Sequence, residues 1–386
     1  MNHWYASYAA IIVVMTVTLL GAGYATAQGE TPGYSVIDPS TGTNEFGEEM
    51  LWYDAAELPI EGRGWTDVAS TYDRLPARAE GVVRPPVWNL SHDSAGMAIH
   101  FMTDSPAIGA RWVLRDNGLA MPHMPATGVS GMDLYVKQQA RWIWVANGRP
   151  SAATMQTTLV SGIPEGMHEY LLYLPLYNGV TSVHIGIKPD AALAAPPERP
   201  EERRKPIVFW GTSILQGGCA ARPGMAYPSI IGRMLDRPTI NLGFSGNGQM
   251  EPEMAEFIAE LDVEMFVVDC CPNLGPEEIA ARTEPMVHIL REARPETPIV
   301  LVENIIYQEG YFIPSMRESY EKKNAELKAA YDRLVESGVK NLHYIPCDNL
   351  LGDDVEATVD GTHATDVGFL RMAKEIAPVL SRILER

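Results

Sequence analysis

Three polar residues in the second half of the chain have the types and the order that acyl transfer requires. Ser213 stands in a Gly-x-Ser stretch directly after an apolar run, and Asp360 and His363 stand three positions apart near the C-terminus. A serine hydroxyl becomes a nucleophile when an adjacent histidine takes its proton, and a carboxylate on the other ring nitrogen fixes the histidine tautomer. The sequence therefore predicts a catalytic triad of Ser213, His363 and Asp360.

Acyl transfer also needs preorganised hydrogen-bond donors for the negative oxygen of the tetrahedral intermediate. The predicted donors are the backbone N–H groups of Ser213 and Gly246 and the side-chain amide of Asn273. Each of these residues follows an apolar run that is typical of a buried strand. We therefore expect the donors and the triad to meet at one edge of a sheet, because open α/β sheets bind ligands at the carboxyl ends of their strands.

The residues from 206 to 386 alternate between strand-like and helix-like patterns. Predicted strands cover 207–210, 239–242, 265–270, 299–302 and 342–345, and helical periodicity covers 276–293, 315–336 and a closing stretch from residue 370. This alternation predicts a parallel sheet that is covered by helices on both faces. The half from 206 to 386 is thus predicted to be an α/β catalytic domain.

The residues from 28 to 188 have a different pattern. Short runs that are rich in aromatic and branched residues occur at 98–102, 110–114, 133–136, 142–145 and 183–187, separated by Gly, Pro, Asn and Asp. This spacing predicts an all-β sandwich. The segment 189–205 is rich in proline and charge, and we predict that it is a linker between the two domains.

The first 27 residues contain no Asp, Glu, Lys or Arg, and they include an apolar run from 9 to 20 that is followed by Ala25-Thr26-Ala27. This pattern predicts a secretory signal peptide that is cleaved after Ala27, so that the mature protein is exported to the periplasm or secreted. The alternative is an uncleaved membrane anchor, because the uncharged stretch 4–27 is long enough to span a bilayer.

The net charge of −19 argues against nucleic acids and anionic membrane surfaces as partners and favours a neutral substrate.

The spacing of the four cysteines matches neither a zinc site nor a disulfide scaffold. The histidines of the β half lack cysteine partners and tight spacing; they are His92, His100, His123, His168 and His184. No nucleotide-binding glycine motif is present. We therefore predict no metal and no organic cofactor, and the oligomeric state stays open.

The order Gly-x-Ser, Gly, Asn and Asp-x-x-His resembles the four sequence blocks of the SGNH hydrolases, also called GDSL esterases. The resemblance covers residues 205–386, and it implies a flavodoxin-like, three-layer α/β/α domain with a Ser-His-Asp triad. Two positions depart from the common pattern. Thr212 stands where many members have Asp, and the third block has Cys-Pro-Asn-Leu where many members have Gly-x-Asn-Asp.

A second match lies upstream, in the stretch Gly131-Met132-Asp133-Leu134-Tyr135. It resembles the GxDLY signature of an N-terminal β-domain that precedes some SGNH esterases. For that architecture the resemblance implies a jelly-roll-like module beside the catalytic domain, and esterase activity that is often directed at acylated sugars. We expect Asp133 and Tyr135 to be structural residues at the domain interface.

The combined expectation is an exported serine esterase that hydrolyses short-chain esters, most of all acetyl esters, of carbohydrates through an acyl-enzyme. Two alternatives stay open: an acyltransferase with the same triad, and a non-catalytic glycan-binding protein that has kept the fold.

Three further residues are candidate substrate contacts. They are Gln216 and Arg222, which follow the nucleophile, and Glu303, which follows the fourth strand. For Glu303 the alternative is a solvated loop.

Overall fold

The computed structural model describes residues 33–385. The predicted signal peptide and its cleavage site after Ala27 lie outside the described residues. The N-terminal part of the described chain forms strands β1 Ser35–Val36, β2 Leu51–Asp54, β3 Ile60–Glu61, β4 Ala98–Thr103, β5 Ala107–Leu114, β6 Met132–Gln138, β7 Arg141–Gly148, β8 Thr154–Ser161, β9 His168–Tyr173, β10 Val180–Ile187 and β11 Leu193–Ala195.

The C-terminal part contributes five more strands: β12 Ile207–Gly211, β13 Thr239–Gly243, β14 Met265–Asp269, β15 Ile299–Val302 and β16 Leu342–Ile345. The helices of the described chain are α1 Pro85–Ser91, α2 Ala126–Val129, α3 Glu201–Arg204, α4 Ser213–Gln216, α5 Tyr227–Leu235, α6 Pro252–Ala259, α7 Pro276–Ala293, α8 Pro314–Glu336 and α9 Asp366–Leu384. None of these helices combines the length and the apolar character that a bilayer crossing needs.

The five C-terminal strands form a parallel sheet in the order β13-β12-β14-β15-β16. Numbered within the sheet this order is 2-1-3-4-5, which is the flavodoxin-like arrangement. Val208 and Trp210 pack with α6 and α7 on one face, whereas Ile207 and Phe209 pack with α5 and α9 on the other. Because successive strand residues point to opposite faces, this double covering makes β12 continuously apolar. The predicted parallel sheet with helices on both faces is confirmed.

The N-terminal strands form two antiparallel sheets. One has the order β1-β11-β4-β9-β6-β7, with β3 paired to β4, and the other has the order β2-β10-β5-β8. Residues of both sheets, among them Phe101, Trp112 and Tyr170, share one buried apolar core. The N-terminal half is therefore a mostly antiparallel β module, as the short strand-like runs predict, and its jelly-roll connectivity stays a prediction.

Two stretches depart from a simple division into sandwich, linker and α/β domain. The segment 189–205 contains β11, which pairs with β1 and β4, so that this segment is in part a sheet strand. Residues 62–95 lie outside the two antiparallel sheets and cover the parallel sheet, where Trp65, Leu75 and Val87 join the core beside α6. We call residues 34–195 the β module and residues 206–385 the α/β module; together they lie in one compact unit.

Candidate active site

The predicted nucleophile lies at the carboxyl end of strand β12, which pairs with β13 on one side and β14 on the other. Thr212 caps the short helix α4, and its hydroxyl accepts a hydrogen bond from the N–H of Ile214 at 3.3 Å. Ser213 is the first residue of this helix and is 7 % exposed. The threonine that replaces the more common aspartate thus caps the turn that presents Ser213.

The structure brings the three predicted triad residues into one hydrogen-bonded row. Ser213 Oγ lies 2.9 Å from His363 Nε2, and His363 Nδ1 lies 2.8 Å from Asp360 Oδ2. The other carboxylate oxygen of Asp360 accepts the backbone N–H of His363 at 2.8 Å and that of Thr362 at 3.2 Å. Partial burial alone would raise the pKa of Asp360, but the hydrogen bonds from His363 outweigh it and lower this pKa. The carboxylate is therefore charged and able to orient the ring.

A tight loop before α9 sets the spacing of Asp360 and His363. The N–H of Val359 donates to the carbonyl of His363 at 2.8 Å, and Thr365 caps α9 through its hydroxyl. Gly361 has a φ of +86°, and a Cβ at this position would lie within 2 Å of the carboxylate of Glu309. The left-handed backbone favours glycine at this position, and any larger residue would also have to displace the carboxylate of Glu309.

The three predicted oxyanion donors follow neighbouring strands. Gly246 has a φ of +69° in the loop after β13, and Asn273 ends the turn after β14. The amide oxygen of Asn273 accepts the N–H of Gly248 at 3.2 Å, which leaves the NH₂ group of Asn273 as the available donor. Within residues 33–385 this NH₂ group and the N–H of Ser213 have no acceptor. Both donors are therefore free to bind a substrate oxygen.

The structure places Gln216 in a supporting position, away from solvent. Gln216 is fully buried, and its NH₂ group donates to Asp93 at 2.9 Å and to the carbonyl of Leu176 at 3.0 Å. Its amide oxygen accepts the N–H of Ser245 at 3.0 Å. Burial raises the pKa of Asp93 to about 6, against the opposing charge of Arg74. Gln216 thus joins the β module to the loop of Gly246, which corrects the expectation of a substrate contact.

Arg222 binds side chains of the GxDLY stretch. Its guanidinium donates to Asp133 Oδ2 at 2.6 Å and to the hydroxyl of Tyr135, and it lies over the ring of Trp144. Asp133 is completely buried and also accepts from Trp144 Nε1 at 2.7 Å and from the N–H of Gly224 at 2.9 Å. Arg222 therefore anchors the two modules to each other. The structural role that we expected of Asp133 and Tyr135 agrees with these contacts.

Glu303 also forms hydrogen bonds within the protein. Its carboxylate accepts the hydroxyl of Tyr344 at 2.5 Å and the N–H of Cys347 at 2.9 Å. These bonds tie the end of β15 to the end of β16. Glu303 thus has a structural role at this edge of the sheet, and its contact with substrate stays a prediction.

Two residues of the β module reach the triad without any signal in the sequence. The hydroxyl of Tyr177 donates to the carbonyl of Ser213 at 3.1 Å. The ring of His123 lies edge-on to the ring of His363, with 5.8 Å between the centroids. Both residues are distant in sequence from the triad residues, so only the packing of the modules could reveal them. All four cysteines are buried and unpaired.

Comparisons with known proteins agree with this geometry. The GDSL-like Lipase/Acylhydrolase family matches residues 204–381, and the N-terminal domain of SGNH-hydrolase-type esterases, named GxDLY, matches residues 50–193. A search of curated proteins found no match. A protein from Bacteroides ovatus that is described as a GDSL-like lipase is 39 % identical, with a TM-score of 0.82 over 87 % of this chain and 98 % of that chain.

Two more distant structures share the fold. One is a salicylyl-acyltransferase from a tetracycline biosynthetic pathway, 19 % identical, with a TM-score of 0.67 over 92 % of this chain and 100 % of that chain. The other is a family two carbohydrate esterase from Cellvibrio japonicus, 12 % identical, with a TM-score of 0.57 over 87 % of this chain and 98 % of that chain. From the family matches and the Bacteroides ovatus relative together, the chain belongs to the GDSL-like lipase/acylhydrolase family, the SGNH hydrolases, and carries the GxDLY module in front of the hydrolase domain.

Proposed function

We propose that the protein is an exported serine esterase that removes short acyl groups, above all acetyl, from carbohydrates. The observation that carries the proposal is the row Ser213–His363–Asp360, with successive distances of 2.9 Å and 2.8 Å. These distances lie in the range that proton transfer from a nucleophile to its base requires. The non-catalytic alternative would not need this row.

The reaction follows from the roles of these groups. Ser213 Oγ attacks the ester carbonyl while His363 Nε2 takes the hydroxyl proton, and Asp360 stabilises the imidazolium that forms. The oxyanion is held by the N–H groups of Ser213 and Gly246 and the amide of Asn273. His363 then gives its proton to the departing alcohol, which leaves an acyl-enzyme. Water, activated by the same histidine, hydrolyses this intermediate and restores Ser213.

Two features support a carbohydrate ester as the substrate. The side chain of Phe312 is 91 % exposed, and Tyr311 beside it is half exposed. Their turn touches the catalytic loop, because Gln308 accepts from Thr358 and donates its N–H to the carbonyl of Gly361 at 2.9 Å. Exposed aromatic rings on a segment that is bonded to the catalytic loop suit the apolar faces of sugar rings. The likeness in fold to a carbohydrate esterase agrees with this substrate class.

Hydrolysis is favoured over transfer to another alcohol by the exposure of the catalytic base. The side chain of His363 is 25 % exposed, and that of Asp360 is 41 % exposed. Bulk water therefore reaches the group that must activate it, whereas transferases need a dry site. The predicted signal peptide supports export, which would bring the enzyme to polymeric glycans outside the cell.

The proposal is tested by acetate release from acetylated polysaccharides and by turnover of p-nitrophenyl esters of increasing acyl length. Ser213→Ala is expected to abolish both activities, and Asn273→Ala to lower kcat by about 10²–10³-fold, as loss of an oxyanion donor does. Covalent labelling of Ser213 by a fluorophosphonate reports the nucleophile independently of substrate choice. Full activity of Ser213→Ala would overturn the mechanism. Labelling without acetate release, together with transfer to an added sugar, would instead establish the acyltransferase.

A further inference from the structure

His123 brings a third metal-binding group to the predicted triad. One ligand atom each of His123, Asp360 and His363 lie within 4.8 Å of one another. His123 lies in a turn of the β module between Met121 and Met124, whereas the other two residues belong to the catalytic loop of the α/β module. Within the described chain the ring nitrogens of His123 have no hydrogen-bond partner, and the side chain is exposed. An imidazole with free nitrogens therefore stands beside a histidine–carboxylate pair.

We propose that His123, His363 and Asp360 form a site for a divalent transition-metal ion, Zn²⁺ in the first place, and that its occupation switches the enzyme off. Two imidazoles and one carboxylate are ligands that Zn²⁺ prefers, and three protein ligands with water as the fourth are a common zinc arrangement. Two ligand atoms at about 2.0–2.1 Å from a tetrahedral zinc ion are about 3.3 Å apart. The 2.8 Å between His363 Nδ1 and Asp360 Oδ2 therefore has to widen by about 0.5 Å when an ion replaces the shared proton. A small movement of the exposed His123 ring completes the set.

Ion binding at this place acts on the tautomer of His363. The ion takes the lone pair of Nδ1 in place of the proton that this atom donates to Asp360, and the proton moves to Nε2. A metal-bound neutral ring then presents N–H to Ser213 and can no longer accept the hydroxyl proton. Asp360 becomes a metal ligand and stops orienting the ring. Both changes remove the general base, so that the ion inhibits without displacing Ser213.

The site differs from a catalytic metal centre, because the reaction proposed above needs the unmetallated ring. It also differs from adventitious binding to surface histidines, because the two modules must meet to form it. The inhibitory consequence rests on the proposed esterase activity, whereas ion binding does not. Magnesium prefers oxygen ligands in octahedral geometry and is expected to have no effect at equal concentration.

The experiment uses the purified protein after treatment with a chelator and dialysis. Zinc chloride is titrated against p-nitrophenyl acetate turnover for the wild type, for His123→Ala and for His288→Ala, an exposed histidine on α7 outside the cluster. Loss of one ligand is expected to raise the half-inhibitory zinc concentration of His123→Ala by at least about 10-fold, which is what even outer-shell partners of a metal contribute. His288→Ala is expected to match the wild type.

Calorimetric titration of zinc into Ser213→Ala protein measures binding without turnover. Adding His123→Ala to this background is expected to weaken binding at one site by the same factor. Equal zinc inhibition of the wild type and His123→Ala, or calorimetric binding that His123→Ala leaves unchanged, would overturn the site. Zinc binding that depends on His123 in a protein without esterase activity would instead uphold the site and reject the proposed function.

Discussion

The catalytic loop and the contacts between the modules both pair an aspartate with a basic side chain, but one pair is partly exposed and the other is buried. Asp360 and His363 are three residues apart and remain partly exposed, and a single loop sets their geometry. Asp133 and Arg222 are 89 residues apart, and the carboxylate is completely sealed from solvent. The exposed pair is free to exchange protons with substrate and water. The buried pair fixes position, because an ion pair in a medium of low dielectric tolerates little displacement.

This difference predicts that changes in the catalytic loop abolish turnover and spare the fold, whereas changes at the module contacts do the reverse. The distinction can be measured because the two sets share no side chain. Gln216 and Tyr177 lie between them: they join the β module to the loop of Gly246 and to the backbone of Ser213.

Asp360→Asn is expected to give the largest effect, a fall in kcat of about 10⁴-fold, as in serine proteases with a triad of this type. The amide can still accept the backbone N–H groups of Thr362 and His363, so that the loop is kept while the negative charge is lost. Steady-state turnover of p-nitrophenyl acetate measures the fall, and the midpoint of thermal unfolding reports the fold.

The matched control is Asp354→Asn, an exposed carboxylate that pairs with Arg371 and lies outside the triad. We expect its kcat to stay within a few-fold of the wild type, since exposed ion pairs contribute little. If Asp360→Asn kept more than about a tenth of the wild-type kcat, Asp360 would not be the residue that orients His363.

Arg222→Ala is expected to lower the free energy of unfolding by about 3 kcal/mol, because it leaves the buried carboxylate of Asp133 without its counter-charge. Adding Asp133→Asn removes the unpaired charge and is expected to restore part of the loss. Urea unfolding of the single and double variants measures both values. Lys322→Ala, which breaks an exposed pair with Glu318, is the control and is expected to cost less than about 0.5 kcal/mol.

The same variant separates anchoring from substrate contact. Folded Arg222→Ala protein is expected to keep its KM and kcat, because the guanidinium is bound to Asp133 and Tyr135. A large rise in KM at a temperature where the variant is still folded would return Arg222 to the substrate-binding residues.

The sequence sufficed for those parts of the molecule in which the signal is local. The helix predicted at 276–293 and the strands predicted at 299–302 and 342–345 have these bounds in the structure, because their apolar periodicity ends where their burial ends. The order of the polar residues after the strands also placed Ser213, Asn273 and His363 at one edge, since the carboxyl ends of parallel strands share an edge.

The sequence failed where contacts join distant segments. Gln216, Arg222 and Glu303 follow the catalytic strands as substrate-binding residues do, yet each is held by partners that are far away in the chain. The packing of residues 62–95 on the parallel sheet and the approach of His123 to His363 have no periodicity that could reveal them. Proximity to a strand end is thus a poor guide to function unless the partner of the side chain is known.

The smallest effect is expected from His100, which lies between two carboxylates in the β module. Its Nδ1 is 2.7 Å from Glu61 and its Nε2 is 2.9 Å from Glu169, and the side chain is 6 % exposed. Burial alone would lower the pKa of His100, but the two carboxylates outweigh it and raise this pKa. Burial alone would likewise raise the pKa of Glu61, and His100 and Arg199 outweigh it and lower the pKa to about 2.

These two pKa shifts determine how the stability of the fold changes with pH. The raised pKa of His100 stabilises the fold fully below the ordinary value of about 6.5, and this contribution is lost as the pH rises through the folded value. The lowered pKa of Glu61 stabilises the fold at pH values above the ordinary pKa of about 4.3, and this contribution is lost as the pH falls toward 2. The cluster therefore contributes most between these two ordinary values.

His100→Gln keeps a polar side chain of similar reach and removes the charge. We expect it to lower the free energy of unfolding by about 2 kcal/mol near pH 6, the scale of hydrogen bonds between charged groups, and by less near pH 9. Urea unfolding at both pH values measures the difference, with His168→Gln, a histidine that bonds only a backbone carbonyl, as the control. Only a contact that titrates can make the loss of stability depend on pH. An equal loss at both pH values would therefore mean that His100 stabilises the fold by packing against Trp142, and that its ion pairs with Glu61 and Glu169 contribute nothing.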